Sequence, residues 1–191
     1  MDATAPDALP YTGDPEADAL LAAEPLALLI GFVLDQQVSV QKAFSGPLEL
    51  QRRIGTLDAA TIAAMDPADL EAAFRERPAL HRFPGSMAKR TRALCEALVA
   101  DYDGEAAALW TNAADGDELR KRLERLPGFG KAKARIFVGV VGKRLAAGPP
   151  GWEDAAADWP SIADVDDFEK VYELRERKRA MKAAAKKEAG Q

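Results

Sequence analysis

Hydrophobic residues recur along most of the chain at helical spacing, and no segment shows sustained alternation of apolar and polar positions with β-branched side chains. Residues 25–37 are nearly all apolar, which predicts a central buried helix. Asp14-Pro15 reads as a helix start, with a capping side chain followed by proline at the first helical position. The pattern therefore predicts an all-α fold.

The helical pattern divides the chain into three regions. Residues 1–13 carry Pro6, Pro10 and Gly13 among small polar neighbours, so we predict a disordered N-terminus. Residues 14–167 form the predicted helical domain, and residues 168–191 a basic C-terminal helix or tail. The predicted helices cover 17–23, 25–37, 38–44, 48–54, 58–65, 67–75, 86–102, 105–111, 116–125 and 131–145. A loop or short turn is predicted up to Pro160, and a last helix starting between Asp164 and Asp167.

The segment Leu126-Pro127-Gly128-Phe129-Gly130-Lys131 lies between two of these helices, within 116–145, and predicts a helix-hairpin-helix. Both glycines are expected to adopt positive φ and to allow close approach of another backbone. The next helix begins here, so its free N–H groups and dipole suit a phosphate, and Lys131 and Lys133 add charge. An ordinary turn between packed helices is the alternative, but the full motif favours binding to a DNA backbone.

Composition narrows the function classes. The 191 residues suit one large domain or two small lobes. Cys95 is the single cysteine and His81 the single histidine, so an intramolecular disulfide, a cysteine-ligated iron–sulfur cluster and a usual zinc site are not expected, and we predict no metal ligands. There is no run of eighteen apolar residues and no signal-peptide pattern, so we expect no membrane association and a cytoplasmic location.

The net charge of −5 argues against nucleic-acid binding, but the charges are unevenly distributed. Residues 1–35 contain seven acidic residues and no Lys or Arg, whereas residues 175–187 contain seven basic residues and one acid. An acidic protein can still present a basic face. The basic tail is interpreted either as a DNA contact or as a solvated helix end.

Four segments together resemble a known family. They are 29–40, which contains Gln36, Gln37 and Ser39 near its end; 83–90, followed by Leu94; the hairpin; and 159–166. In this order they resemble the helix-hairpin-helix GPD superfamily of base-excision DNA glycosylases, across most of the chain. The resemblance implies an all-α fold, double-stranded DNA with a damaged base as partner, and hydrolysis of the N-glycosidic bond of a flipped-out base.

The resemblance also implies an aspartate near the hairpin that stabilises the cationic sugar or activates water. Asp164 is the first candidate and Asp166 the second, with Asp167 also open, because ungapped matching places the family aspartate at Val165. These acids could instead only cap the last helix.

Further site residues are expected by the same resemblance. The DNA-binding candidates are Gly128, Phe129, Gly130, Lys131, Lys133, Gln36, Gln37 and Lys89. The base-pocket candidates are His81 and Trp159. Each of these residues could instead have a purely structural role. The glutamines could cap a helix, Phe83 could pack a loop that leaves His81 in solvent, Lys89 could belong to a charged surface, and Trp159 could lie in the core. Asp35 is interpreted as either a surface residue or part of the pocket.

Two departures from the family pattern change the expected chemistry. Ala132 stands where lyase-type members place a Schiff-base lysine, so we expect a monofunctional glycosylase without lyase activity. The four cysteines of the cluster-bearing branch are missing, so no cofactor is expected except a monovalent cation that hairpin carbonyls can hold. The alternatives are a non-catalytic DNA-binding protein of the same fold and a protein-binding helical adaptor.

Overall fold

The computed structural model describes residues 6–189 of the chain, and within that range it contains helices and no β-strand. The all-α prediction is confirmed. The α-helices, numbered α1 to α11, are Pro15–Ala23, Pro25–Leu34, Val40–Ile54, Ala59–Ala64, Pro67–Arg75, Pro84–Tyr102, Ala108–Thr111, Gly116–Glu124, Lys131–Gly139, Trp152–Ala155 and Glu169–Ala189. A π-helical turn, Val140–Arg144, continues α9, and a 3-10 turn, Ile162–Asp164, precedes α11.

Helix α2 forms the centre of the core. All of its residues from Leu26 to Leu34 are buried, as its apolar sequence predicts. It packs against α3 on one side, and Phe32 makes edge-to-face contacts with Phe44 of α3 and Phe137 of α9. The C-terminal end of α2 is thereby fixed between the first half of the chain and the hairpin.

Local capping explains where many of the helices begin. Asp14, Asp58 and Asp66 each accept a hydrogen bond from a first-turn N–H of α1, α4 and α5, and Pro15 and Pro67 occupy the first helical position. Asp115 caps α8 in the same way. These starts were predictable because the capping residue and the first turn are adjacent in sequence.

The structure corrects the prediction for the N-terminus. Residues 1–5 lie outside the described residues, but within 6–13 the side chains of Leu9 and Tyr11 are fully buried. The Asp18 carboxylate accepts hydrogen bonds from the N–H groups of Tyr11 and Thr12, at 3.1 and 2.9 Å. Residues 6–13 are therefore packed onto the domain, because two large apolar side chains outweigh the loop-forming residues around them.

Several predicted helix boundaries are wrong, including that of the last helix, which begins at Glu169 and not between Asp164 and Asp167. Residues 40–54 form one helix with Pro47 inside it, instead of two helices separated at Gly46-Pro47. Helix α2 ends at Leu34 rather than at 37, and the hairpin helix becomes π-helical after Gly139. Where a loop or short turn was predicted before Pro160, the chain forms the short helix α10.

Within residues 6–189 no single helix is long and apolar enough to cross a membrane. The bent pair α1 and α2, which meet at 114°, passes that test only when taken together, and α2 is the buried core helix.

Candidate nucleic-acid interface

The hairpin between α8 and α9 has the geometry of a tight turn. Gly128 has φ of +85°, and a Cβ there would lie 3.2 Å from Cγ2 of Val33, so both conformation and space favour glycine. Gly130 has φ of −101°, so the predicted positive φ is wrong at this position. Gly130 is instead the exposed cap of α9, with no protein atom within 4 Å of the place a Cβ would occupy.

The two hairpin lysines differ in their surroundings. Lys131 is exposed in the first turn of α9, beside backbone N–H groups that no capping side chain covers. Lys133 is part-buried, and its ammonium donates to the Phe32 carbonyl at 2.5 Å. Burial lowers the pKa of Lys133, an effect that the negative charge of Asp35 opposes. Lys131 is thus available to a phosphate, whereas Lys133 stabilises the end of α2.

Phe129 is a core residue rather than an exposed DNA contact. Its side chain is only 7% exposed, stacks on Phe32 with ring centroids 6.0 Å apart, and meets Phe137 edge to face. The predicted role in DNA binding does not fit this placement. Phe129 instead fastens the hairpin to the core.

The two glutamines after α2 occupy different positions. Gln36 is part-buried: its amide donates to the Val33 carbonyl at 2.9 Å, and its side-chain oxygen accepts from Arg90 at 2.5 Å. Gln37 is exposed and has φ of +56°, a strained value for a residue with a Cβ. Gln37 therefore points outward from the turn, whereas the hydrogen bonds of Gln36 stabilise the turn.

His81 does not line a base pocket, contrary to the prediction. It is 1% exposed, and its Nδ1 accepts from the Phe83 N–H at 3.0 Å. Since Nδ1 accepts, Nε2 carries the proton and donates to the Gln36 carbonyl at 2.9 Å. Burial lowers the pKa of His81, which favours this neutral form. His81 is a structural link between the turn at Gln36 and the start of α6.

Phe83 is the exposed member of the same loop. Its ring is 43% exposed, with the Arg82 guanidinium 4.9 Å from its centroid. Lys89 is also exposed, on the α6 helix that follows. Because His81 ties this loop to Gln36, Phe83 and Gln37 project from two turns that are joined to each other.

A cavity of about 500 Å³ separates the turn after α2 from α11. One wall consists of Asp35, Gln37 and residues 38–41. The other wall is formed by α11 and contains two apolar residues and four cations: Val171, Leu174, Arg175, Lys178, Arg179 and Lys182. The basic C-terminal segment and the glutamine turn, far apart in sequence, therefore line one site.

Asp35 brings a carboxylate into this cavity. It is part-buried, and it is the C-cap residue of α2. Burial raises the pKa of the Asp35 carboxyl, and the positive charges of Lys178 and Lys133 oppose that rise. From the sequence, Asp35 could be either a surface residue or part of the pocket. An acid directly after an apolar helix is unfavourable to the helix dipole, and this feature of the sequence could have indicated a functional position.

The predicted catalytic acids lie elsewhere. The Asp164 carboxylate accepts from Lys143 at 2.5 Å and from the Ser161 N–H at 3.0 Å, and these bonds lower its pKa. Lys143 is more than three helical turns beyond Lys131. Asp166 pairs with Lys170 at 2.5 Å, which lowers its pKa. The structure thus places both acids in ion pairs and not among the residues that line the cavity with Gln37.

Trp159 lies on the other side of the hairpin. Arg135 stacks on its ring at 4.8 Å, and both line a broad cleft of about 830 Å³ with Lys131 and Ala132. His81 is not part of this cleft, so the two predicted base-pocket residues do not come together. Among the residues that the structure describes, no group of three or more His, Cys, Asp or Glu side chains could hold a metal ion.

Comparison with known families agrees with the hairpin and with the helical architecture. Residues 30–187 match the family described as HhH-GPD superfamily base excision DNA repair protein. Comparisons with curated proteins and with solved structures find no match. Since the family match covers more than half of the chain and includes the C-terminal half of α2, the hairpin and most of α11, this protein belongs to the HhH-GPD superfamily of base excision DNA repair proteins.

Proposed function

We propose that the protein is a DNA glycosylase that binds double-stranded DNA and hydrolyses the N-glycosidic bond of a damaged, flipped-out base. The observation that carries the proposal is the cavity between the turn at Gln37 and α11. It lies next to a hairpin whose uncapped N–H groups suit a phosphate. A cavity of about 500 Å³ lies within the ~300–1,000 Å³ that small-molecule pockets usually have.

The exposed residues of this cavity and of the neighbouring hairpin have complementary roles toward DNA. Lys131 and the first turn of α9 bind a backbone phosphate, which requires exposed N–H groups and positive charge. Gln37 and Phe83 project toward the duplex, where an aromatic side chain can stack on an unpaired base. The cations of α11 neutralise phosphates on the other side of the cavity.

The chemistry proposed is monofunctional. Ala132 is exposed at the position of the lyase lysine, and the neighbouring Lys133 ammonium is held by the Phe32 carbonyl. Water is therefore the nucleophile, and no covalent imine with the sugar is formed. Borohydride treatment during turnover tests this point, because it traps a protein–DNA adduct only when a lysine forms such an imine.

A monovalent cation at the hairpin carbonyls is part of the proposal. The Phe129 N–H donates to the Leu126 carbonyl at 3.1 Å, which closes the turn, and a carbonyl oxygen has a second lone pair that can face a cation. Such an ion would neutralise a phosphate docked on the turn.

A base-release assay tests the function. Duplexes that carry single deaminated, alkylated or oxidised bases are incubated with the protein, and abasic sites are revealed by alkali. Release from one class of lesion, without strand cleavage before the alkali step, is the expected result.

One observation favours a second candidate, a DNA-binding protein of the same fold without catalysis. Asp164 and Asp166, the acids that the family resemblance indicates, are both held in ion pairs with lysines. This candidate predicts duplex binding at low salt and no base release from any lesion of the panel.

A further inference from the structure

Asp35 departs from ordinary helix design. It is an acid at the C-terminal end of α2, where the partial negative charge of the helix end disfavours a carboxylate, and α2 has no basic residue in its last turn. Among the side chains described, those of residues 6–186, none donates a hydrogen bond to its carboxylate or forms an ion pair with it within 4.0 Å, unlike the carboxylates of Asp164 and Asp166. Departures of this kind are expected at functional sites.

The charged surroundings of Asp35 come from three elements. Lys133 of α9 and Lys178 of α11 act on the Asp35 carboxyl, and Arg90 of α6 bonds the side chain of the adjacent Gln36. Helix α11 contributes four cations to the cavity wall: Arg175, Lys178, Arg179 and Lys182. Among the described residues, no other acid lines this cavity. Asp35 is therefore a single carboxylate in a cationic pocket, an arrangement suited to a phosphate-bearing sugar that becomes positively charged during reaction.

We propose that Asp35 is the carboxylate that acts on the reacting nucleotide, a role that the sequence resemblance had given to Asp164. The inference rests on the proposed glycosylase function. The cavity holds the flipped nucleotide, the cations of α11 bind its phosphates, and the Asp35 carboxylate faces its sugar.

The proposed hydrolysis breaks one bond at the sugar and forms another. The bond between C1′ of the sugar and the base nitrogen breaks, and its electron pair leaves with the base. The oxygen of a water molecule bonds to C1′ and its proton passes to the Asp35 carboxylate, while the departing base nitrogen takes a proton from solvent. Before the water attacks, the negative charge of Asp35 stabilises the developing positive charge on the sugar. Asp35 then returns its proton to solvent.

The test compares Asp35→Asn with wild-type protein in single-turnover base release on the lesion that wild-type protein processes. Removing a positioned acid or base commonly costs about 10²–10⁴-fold in rate, so we expect at least a ~100-fold loss. Affinity for the same duplex should be unchanged or higher, because a negative charge is removed from a cationic pocket. Asp101→Asn, at an exposed site on α6, is the matched control and should keep the wild-type rate.

The pH profile supplies an independent readout. In wild-type protein the rate should fall as the pH drops through the raised pKa of Asp35, since only the carboxylate is active. Lys178→Ala removes a charge that lowers this pKa, so it should move the acidic limb of the profile to higher pH at saturating protein.

Four results would overturn the inference. The first is an Asp35→Asn rate within about threefold of wild type, since loss of a catalytic acid or base costs ~10²-fold or more. The second is a parallel loss of rate and DNA affinity in Asp35→Asn, and the third is an acidic limb of the pH profile that Lys178→Ala does not move. The fourth is a large loss of rate in Asp164→Asn but not in Asp35→Asn. Each leaves the glycosylase function intact, because wild-type protein still releases the base. Silence of wild-type protein on every lesion would instead refute the proposed function and the inference together.

Discussion

At the scale of single residues, the turn after α2 combines features that cost stability. Asp35 is an acid at a helix C-terminus, and Gln37 has positive φ without being glycine. Gln36 and His81 hold the turn in place by hydrogen bonds to Val33 and between each other. The surrounding structure thus maintains a conformation that the turn itself disfavours, and the strained residues face the cavity.

The buried charge of Asp35 leads to a stability prediction. Its pKa is raised in the folded protein, so the native state holds the proton at pH values where the unfolded chain has lost it. Folding stability therefore decreases as the pH rises from about 4, the ordinary carboxyl pKa, through the raised pKa. Asp35→Asn should have a Tm equal to or above that of wild-type protein at pH 7, and the difference should vanish near the ordinary carboxyl pKa.

Thermal unfolding followed by circular dichroism across this pH range measures the effect. A Tm of Asp35→Asn clearly below wild type at pH 7 would show that the carboxylate stabilises the fold. That result would contradict the pKa direction on which this prediction rests.

Phe129 gives a second prediction at this scale. Its ring is buried between Phe32 and Phe137, so Phe129→Ala leaves a cavity in the core. We expect a loss of about 3–5 kcal/mol in the free energy of unfolding, as for other buried aromatic residues. Denaturant unfolding measures this, and a loss of DNA affinity with unchanged stability would restore the role predicted from sequence.

The sequence could not show which hairpin residues are exposed to DNA and which are packed in the protein. Phe129, Lys131 and Lys133 are neighbours in one motif, and all were predicted to contact DNA. Residues at the start of a helix point in directions about 100° apart, and which direction meets the core depends on where α2 lies. The packing of Phe32 against α9 decides that Lys131 is exposed and Lys133 is turned inward.

At the scale of elements, the hairpin is the segment whose local geometry the sequence predicted best. Its motif is local: the glycine turn, the apolar anchors and the helix start lie within a few residues. Gly128 adopts the expected positive φ, and α9 begins at Lys131 as predicted. The extended φ of Gly130 differs because this residue caps a helix rather than completing the turn.

Lys131→Ala tests the hairpin as a phosphate site. Loss of one phosphate contact should weaken duplex binding and reduce the slope of log K against log salt by about 0.9. Lys121→Ala is a matched control, because Lys121 is an exposed lysine on α8 that pairs with Asp117. Fluorescence anisotropy at several salt concentrations measures both slopes, and equal slopes for the two variants would contradict the assignment.

The cations of α11 are tested in the same assay. Lys178 and Lys182 line the cavity with Gln37, whereas Arg177 lines a separate cavity beside Asp164. Combined replacement of Lys178 and Lys182 by alanine should lower both duplex affinity and the salt slope, while Arg177→Ala should leave them near wild type. A larger effect of Arg177→Ala would place DNA on the opposite face of α11.

At the scale of the whole molecule, the fold class followed from helical periodicity and helix caps, which are local. The site did not, because it depends on contacts between distant segments. Asp35 and Lys178 are 143 residues apart in sequence, and only the return of α11 along the turn after α2 brings them into one cavity. The burial of Tyr11 also depends on a more distant element, since its ring packs edge to face against Phe44 of α3.

The position of the predicted catalytic acid Asp164 also depends on contacts that the sequence does not show. Resemblance indicated Asp164 because it lies near the family position in a linear alignment, but the chain between Arg144 and Trp159 is long and forms its own helix, α10. In the structure the Ile162–Asp164 turn packs on the π-helical end of α9, and Asp164 pairs with Lys143 there. The carboxylate that lines the cavity is instead that of Asp35, at the C-terminal end of α2.

The most direct test of the account is base release by wild-type protein from duplexes that carry deaminated, alkylated or oxidised bases. We predict alkali-revealed abasic sites in one lesion class, no strand cleavage before alkali, and no adduct after borohydride. No release from any lesion, with duplex binding retained at low salt, would contradict the account and identify a DNA-binding member of the family without glycosylase activity.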